Sequence, residues 1–87
     1  MQGRRVYPDG EGWFRLEEGD YLFDPRSKHW FARAPGCEMG DLSKHDIVEH
    51  EDGTITVSPS ILHTEYEGDM PTKTWHGYLE RGVWREV

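Results

Sequence analysis

The sequence predicts an all-β domain, on the evidence of two hairpin signals and the lack of a helical pattern. Asp52-Gly53 lies between the β-prone runs DIVEHE and TITVSPSIL, and an Asp-Gly pair in this setting is a strong hairpin signal. Arg81-Gly82 lies in a similar position near the C-terminal end. No window of about 11 residues has apolar side chains at helical spacing. We therefore expect a small antiparallel sheet, or a partly open barrel or sandwich built from hairpins, with at most one short helical turn.

The first hairpin is predicted to have one buried face and one solvent-exposed face. A two-residue turn pairs His50 with Ile55 and Val48 with Val57. Strand side chains alternate between faces, so these four share one face, which we expect to be buried. The opposite face is mostly polar, as in an antiparallel sheet with one solvated side. Pro59 cannot donate to a ladder, so pairing should stop or bulge there.

The second hairpin allows two registers. A two-residue turn pairs Leu79 with Trp84. A three-residue loop over residues 80–82 pairs Tyr78 with Trp84 and places Gly82 in the left-handed position of a bulge. We favour the three-residue loop, because glycine stands where that loop needs it.

The rest of the chain is predicted as short strands joined by loops. Residues 1–12 form a loose N-terminal arm, and residues 13–87 form a single small β domain. Strands are expected in the apolar runs Trp13–Glu17, Tyr21–Phe23 and His29–Arg33. The remaining segments are a Pro/Gly-rich loop at 34–40, one helical turn at 41–45 and a polar, mobile loop at about 64–74.

Composition limits the core that this chain can build. The chain has 87 residues and a net charge of −7, and a domain of this size buries only about 60% of its unfolded surface. It has four Trp and four Tyr, and we expect these aromatic residues to fill much of the core. A thin aliphatic core and exposed strand edges predict a homo-oligomer.

The single cysteine and the acidic charge restrict the setting. With Cys37 as the only cysteine, no intrachain disulfide is possible, which favours an intracellular location. The sequence shows no signal peptide and no run of about 20 apolar residues that would span a membrane. The acidic balance disfavours direct binding to nucleic acid. Cys37 itself stands in a Gly-rich loop, where we expect exposure.

Two motifs carry a resemblance to a known family. The segments EHEDGTITVSPSIL and WHGYLERGVWREV, together with HWFARAPG and His45, resemble a family of small bacteriophage proteins of unknown function, common in phages of actinobacteria. The resemblance covers roughly residues 29–63 and 75–87. Such proteins are often labelled ammonia monooxygenase. We reject this label, because the resemblance offers no copper site and the chain has no membrane span.

The resemblance implies a setting but transfers no functional residues. It implies action in the cytoplasm of the infected bacterial host, on a host component, with counter-defence as one form. We therefore expect a non-enzymatic phage accessory protein whose partner is a host protein or a small ligand. The acidic cluster at Asp46, Glu49, Glu51 and Asp52 favours a basic partner surface.

The sequence shows no recognisable catalytic or cofactor motif. It lacks a phosphate-binding loop, a nucleophile elbow and the short spacings of a zinc motif. We therefore expect no catalytic residues, no cofactor and no metal, with His45, His50 and His76 as weak metal candidates that could still converge in space. A small metal-dependent enzyme is the least favoured alternative.

A small-ligand site is the stronger alternative to a host-protein site. Aromatic side chains can stack on a base, and arginines can neutralise a phosphate. Such a pocket would sequester a ligand such as a signalling nucleotide. The candidate ligand-binding or partner-binding residues are Trp30, Arg33, His50, Tyr78, Arg81 and Trp84.

Overall fold

The computed structural model describes residues 1–87 and confirms the all-β prediction: it contains nine strands and no helix. Accordingly, no helix in it could cross a membrane. The strands are β1 (Arg4–Arg5), β2 (Asp20–Asp24), β3 (His29–Arg33), β4 (Met39–Asp41), β5 (Asp46–Glu49), β6 (Ile55–Ser58), β7 (Ile61–Glu67), β8 (Met70–Glu80) and β9 (Val83–Glu86).

The strands form three small sheets, and none of them closes into a barrel. Their orders are β1-β2-β3-β4, β5-β6 and β7-β8-β9. The β1–β2 pair is parallel and every other pair is antiparallel. Sequential strands are therefore joined mainly by hairpins, as the turn signals predicted.

The β2–β3 hairpin follows the prediction closely. Strand β3 has the predicted bounds, and β2 contains the predicted apolar run. The turn between them is fixed by Asp24, whose carboxylate accepts hydrogen bonds from the Arg26 N–H at 3.0 Å and the Ser27 hydroxyl at 3.1 Å. These bonds explain how a buried carboxylate is tolerated at the end of a strand.

The predicted register of the β5–β6 hairpin is wrong by one residue. Glu49 pairs with Ile55 and Val48 with Thr56. The His50 N–H also donates to the Thr54 carbonyl at 2.8 Å, which leaves a three-residue loop over residues 51–53 with Gly53 at φ 87°. The buried face consequently carries Ile47 in place of Val48, which is 56% exposed. The three-residue loop forms in place of the predicted two-residue turn, because Gly53 adopts the left-handed conformation that a bulge-type loop requires.

The favoured register of the β8–β9 hairpin is also wrong. Leu79 pairs with Trp84 across a two-residue turn, in which Arg81 has φ 46° and Gly82 has φ 76°. Two left-handed residues define a type I′ turn, whose twist matches that of the flanking strands. The Arg81 N–H donates to the Thr56 hydroxyl at 3.0 Å, so a tertiary contact helps to hold a non-glycine residue in this conformation.

Four further local predictions fail. Residues 13–17 form no strand, the segment 34–40 contains the start of β4, and no helical turn occurs at 41–45. The predicted loop at 64–74 is instead the distal part of the β7–β8 hairpin, which turns at Gly68 with φ 62°. A register shift after Glu65 accommodates Pro71 opposite Tyr66, so cross-strand pairing overrides the local proline and glycine signals.

The N-terminal arm is attached at its start, contrary to the predicted loose arm. Strand β1 pairs with β2, and Arg4 makes a two-pronged ion pair with Asp20 at 3.0 and 3.2 Å. The Gly3 N–H donates to the Gly82 carbonyl at 2.7 Å. Strand pairing and this ion pair hold residues that the local sequence marks as irregular.

The core combines aliphatic and aromatic side chains. Leu22, Ile55 and Leu79 are completely buried. Trp75 and Trp84 pack edge to face, with ring centroids 5.5 Å apart, an arrangement that aromatic pairs favour. The Trp84 indole N–H donates to the carbonyl of Gly19 at 2.9 Å, so its polar atom is satisfied inside the core.

We predict that Trp84→Phe destabilises the protein by about 2–4 kcal/mol, because it removes packed volume and the shorter of the two hydrogen bonds to the buried Gly19 carbonyl, which keeps only the Arg4 N–H at 3.3 Å. Urea denaturation followed by circular dichroism measures the change. Trp13→Phe is the matched control, since Trp13 is 68% exposed and should change stability by less than about 0.5 kcal/mol. Equal effects of the two substitutions would contradict the assigned core.

Candidate functional site

An open, polar depression lies beside the loop between β5 and β6. Its volume is about 500 Å³, and no hydrophobic side chain lines it. Its lining residues are Glu49, His50, Glu51, Asp52 and Arg81. Three carboxylates and one guanidinium give it a net negative character, which suits a cationic group.

The conformation of the β5–β6 loop is fixed by Asp52. Its carboxylate accepts hydrogen bonds from the Thr54 N–H at 3.0 Å and the Thr54 hydroxyl at 2.6 Å. The Thr54 hydroxyl, followed by the Thr54 N–H, lowers the pKa of Asp52 below its ordinary value. The loop therefore presents an ionised carboxylate at neutral pH.

Arg5 supports the base of the same loop. Its guanidinium donates to the Glu49 carboxylate at 2.9 Å and to the Gly53 carbonyl at 3.0 Å. It also stacks on the rings of Tyr7 and Trp30, with centroids 4.9 and 4.7 Å away. The N-terminal arm thus contributes a half-buried cation that orients part of the acidic surface.

His50 lies on the polar face of the β5–β6 hairpin, and not on the predicted buried face. Its Nε2 lies 2.7 Å from the Thr56 hydroxyl, which also accepts the Arg81 N–H at 3.0 Å. The one-residue register shift moves His50 to this face. The shared threonine brings His50 and Arg81 to the same edge of the depression.

The structure brings together only two of the six predicted binding residues, His50 and Arg81. Trp84 is a core residue. Arg33 donates to the carbonyls of Cys37 at 2.6 Å and Leu16 at 3.1 Å, so it supports the backbone. These contacts explain why an aromatic-plus-arginine pocket does not form from the predicted set.

The two other aromatic candidates each lie under an arginine. The guanidinium of Arg5 covers Trp30, and that of Arg85 lies 4.7 Å from the ring centroid of Tyr78. Both rings are half-buried. Their outer faces are therefore used in intramolecular cation–π contacts.

The weak metal candidates His45, His50 and His76 do not form one cluster. The Nε2 atoms of His45 and His76 approach Ser60, at 3.3 Å from its carbonyl and 2.9 Å from its hydroxyl. His50 instead contacts Thr56 within the β5–β6 hairpin. Their polar contacts are those of structural histidines.

A different cluster, not predicted from the sequence, forms around Cys37. The Cys37 sulfur, a His63 ring nitrogen and a Glu65 carboxylate oxygen all lie within 4.8 Å of one another. Contrary to the prediction of exposure, Cys37 is only 2% exposed, and burial followed by the charge of Glu65 raises the pKa of its thiol. The one sequence signal was the alternate spacing of His63 and Glu65, which becomes informative only once this segment is known to be a strand.

Comparisons with protein-family models, with curated proteins and with solved structures give no significant match to this chain. Its class therefore follows from the structure alone. The fold and the depression define a small all-β protein of three sheets, with an acidic surface on the β5–β6 loop.

We predict that Thr54→Val raises the pKa of Asp52 toward its ordinary value, because the hydroxyl donor is lost. Since the folded-state pKa is lowered, the stabilisation from this contact is present above the ordinary pKa and is lost as pH falls through the lowered value. An NMR titration of the side-chain carboxyl carbons measures the pKa of Asp52 in the parent protein and in Thr54→Val.

Asp41 is the internal control for this titration. Its burial raises the pKa, but hydrogen bonds from His29 and Ser43 lower it to below the ordinary value, and none of these contacts involves Thr54. Its titration should be the same in both proteins. An unchanged Asp52 midpoint in Thr54→Val would show that the hydroxyl does not hold the carboxylate.

Proposed function

We propose that this protein is a non-catalytic binding protein that docks on a basic surface of a host component through its β5–β6 loop. The observation that carries the proposal is the group of exposed carboxylates on this loop, at an open depression with no apolar lining. The resemblance to bacteriophage proteins supports an infected bacterial cell as the setting, with counter-defence as one form of the activity. The lack of a recognisable catalytic motif in the sequence supports a role without catalysis.

The fixed conformation of the loop supports binding. Arg5 holds the Glu49 side chain and the Gly53 carbonyl, while Thr54 holds Asp52. A surface whose groups are already positioned loses less conformational freedom on association. The loop therefore presents its carboxylates to a partner with little reorganisation.

The negative charge of the loop favours a host protein over a signalling nucleotide as the partner. With a net charge of −7, the protein attracts a basic surface over distances of about one Debye length, which is about 8 Å at physiological salt. The same carboxylates repel a phosphate group, so the depression is unsuited to a signalling nucleotide. The guanidinium of Arg81 at its edge can pair with an acidic residue of the partner and so fix the register of docking.

We also propose that the protein acts in the cytoplasm and self-associates. The outer strand β4 has one neighbour within its sheet, and such an edge favours pairing between chains. Self-association through this edge would leave the β5–β6 loop free for a partner.

We predict that Glu49→Gln/Glu51→Gln slows association with the partner about tenfold at low salt, because local carboxylates steer encounter. The partner is first isolated by affinity capture from an actinobacterial lysate, and association rates are then measured by surface plasmon resonance. The matched control is Glu67→Gln/Asp69→Asn, which changes the net charge equally at the distant β7–β8 turn and should bind nearly as fast as the parent.

Equal rates for the two double variants would contradict docking through this loop. A parallel extraction of the captured material identifies small molecules, and a co-purifying nucleotide without any partner protein would also contradict the proposal. Glu49 is 54% exposed, so loss of its ion pair with Arg5 should cost only about 1 kcal/mol. Melting curves can therefore verify that both variants are folded.

A further inference from the structure

We propose that Cys37, His63 and Glu65 bind one zinc ion through a thiolate, an imidazole and a carboxylate. This site is separate from the β5–β6 loop and goes beyond the proposed docking function. Three protein ligands leave a fourth position for water, as in zinc sites that are open to solvent.

The distances fit a tetrahedral ion with small adjustments. The three ligand atoms lie within 4.8 Å of one another, and His63 Nε2 is 3.1 Å from a Glu65 carboxylate oxygen. Ligand atoms at normal zinc distances in a tetrahedron are about 3.3–3.6 Å apart. The His63 and Glu65 atoms already have nearly this separation, and small side-chain rotations would bring the Cys37 sulfur to the same ion.

The donor types select zinc among the common divalent ions. Magnesium and calcium prefer oxygen ligands, whereas a set of sulfur, nitrogen and oxygen donors suits zinc. Because one ligand is a thiolate and another a carboxylate, the site carries two negative charges that balance the ion.

The turn before β4 places the cysteine. The Cys37 N–H donates to the Ala34 carbonyl at 3.0 Å, and Pro35 precedes Gly36 at φ 73°, a pattern typical of a type II turn. The Arg33 guanidinium donates to the Cys37 carbonyl at 2.6 Å. The backbone on both sides of the sulfur is therefore fixed by hydrogen bonds.

Strand β7 places the two other ligands on one face. His63 and Glu65 are two residues apart in β7, so their side chains share one face. Both have a ligand atom within 4.8 Å of the Cys37 sulfur. The Glu38 N–H donates to the Glu65 carboxylate at 2.8 Å, which orients this ligand from the adjacent loop. Gly40 leaves room for the imidazole, because a Cβ there would lie 3.3 Å from His63 Nδ1.

The site is open on the side of its two strand residues. The side chains of His63 and Glu65 are 21% and 26% exposed, whereas Cys37 is buried. An ion can therefore enter from solvent along the imidazole and carboxylate and reach the sulfur last. Such an ion would connect the sheet of β1–β4 to the sheet of β7–β9.

The test is a titration of chelator-treated full-length protein with Zn²⁺, followed by a titration with Co²⁺ as a spectroscopic probe. We expect one zinc ion per chain and, with Co²⁺, the near-ultraviolet charge-transfer absorption of a metal–thiolate bond. His63→Gln and Glu65→Gln should each weaken binding by more than about tenfold, since loss of even an outer-shell partner costs 10–100-fold. Cys37→Ser should abolish the charge-transfer absorption.

His76→Gln is the matched control, because His76 is a histidine outside the cluster that contacts Ser60; it should leave the affinity for zinc unchanged. If Cys37→Ser does not fold, the zinc affinities of His63→Gln and Glu65→Gln decide the outcome, because both residues are partly exposed. Circular dichroism checks that these variants are folded. Three results would each overturn the site: no binding of either ion by the parent protein, a Co²⁺ complex without thiolate absorption, or equal weakening by His76→Gln and His63→Gln.

Discussion

The turn between β8 and β9 is the point on which the three sheets depend. The Gly82 N–H donates to the Ile55 carbonyl at 3.0 Å, and the Gly82 carbonyl accepts the Gly3 N–H at 2.7 Å. Two residues later, the Trp84 indole N–H binds the Gly19 carbonyl. One corner thus connects β6, the N-terminal arm and the approach to β2. A Cβ on Gly82 would lie 2.9 Å from the Tyr21 hydroxyl, so only glycine allows this close approach. In a chain with few aliphatic side chains, hydrogen bonds at this corner connect sheets that do not share a ladder.

The two proposed sites depend on this corner in different ways. The acidic loop belongs to the two-stranded β5–β6 sheet, and an isolated hairpin is only marginally stable in water. Its position follows from the bonds of Gly82 and Arg81 to β6 and from the support that Arg5 gives to its loop. The Cys37 cluster instead lies between the first and third sheets, so a bound ion there would add a second connection. Docking and metal binding would therefore occur at separate places in one framework.

Local signals in the sequence predicted the elements better than their registers. The strand at His29–Arg33 was predicted with its observed bounds, because alternation and flanking turns agree there. Both hairpins exist, but their loop lengths are the reverse of those predicted. In the β8–β9 turn, a tertiary bond to Thr56 helps to hold Arg81 in a left-handed conformation that its residue type does not favour. The strand pairing of segment 64–74 was missed because proline and glycine mark it locally, whereas the long antiparallel pairing of β7 with β8 determines its structure. At the candidate site, His50 and Arg81 were predicted. The Cys37 cluster was not, because its members meet only after two sheets come together.

The most direct test of this account is native-state hydrogen exchange at the connecting amides. The Gly3, Gly82 and Trp84 N–H groups all donate across elements that are distant in the chain. If this corner unites the sheets, these amides open only when the whole protein unfolds, so their exchange yields one common free energy equal to that of global unfolding. Exchange of the Gly82 amide through a local opening of much lower free energy than that of the Leu79 amide, in the middle of the third sheet, would show that the sheets are held together elsewhere.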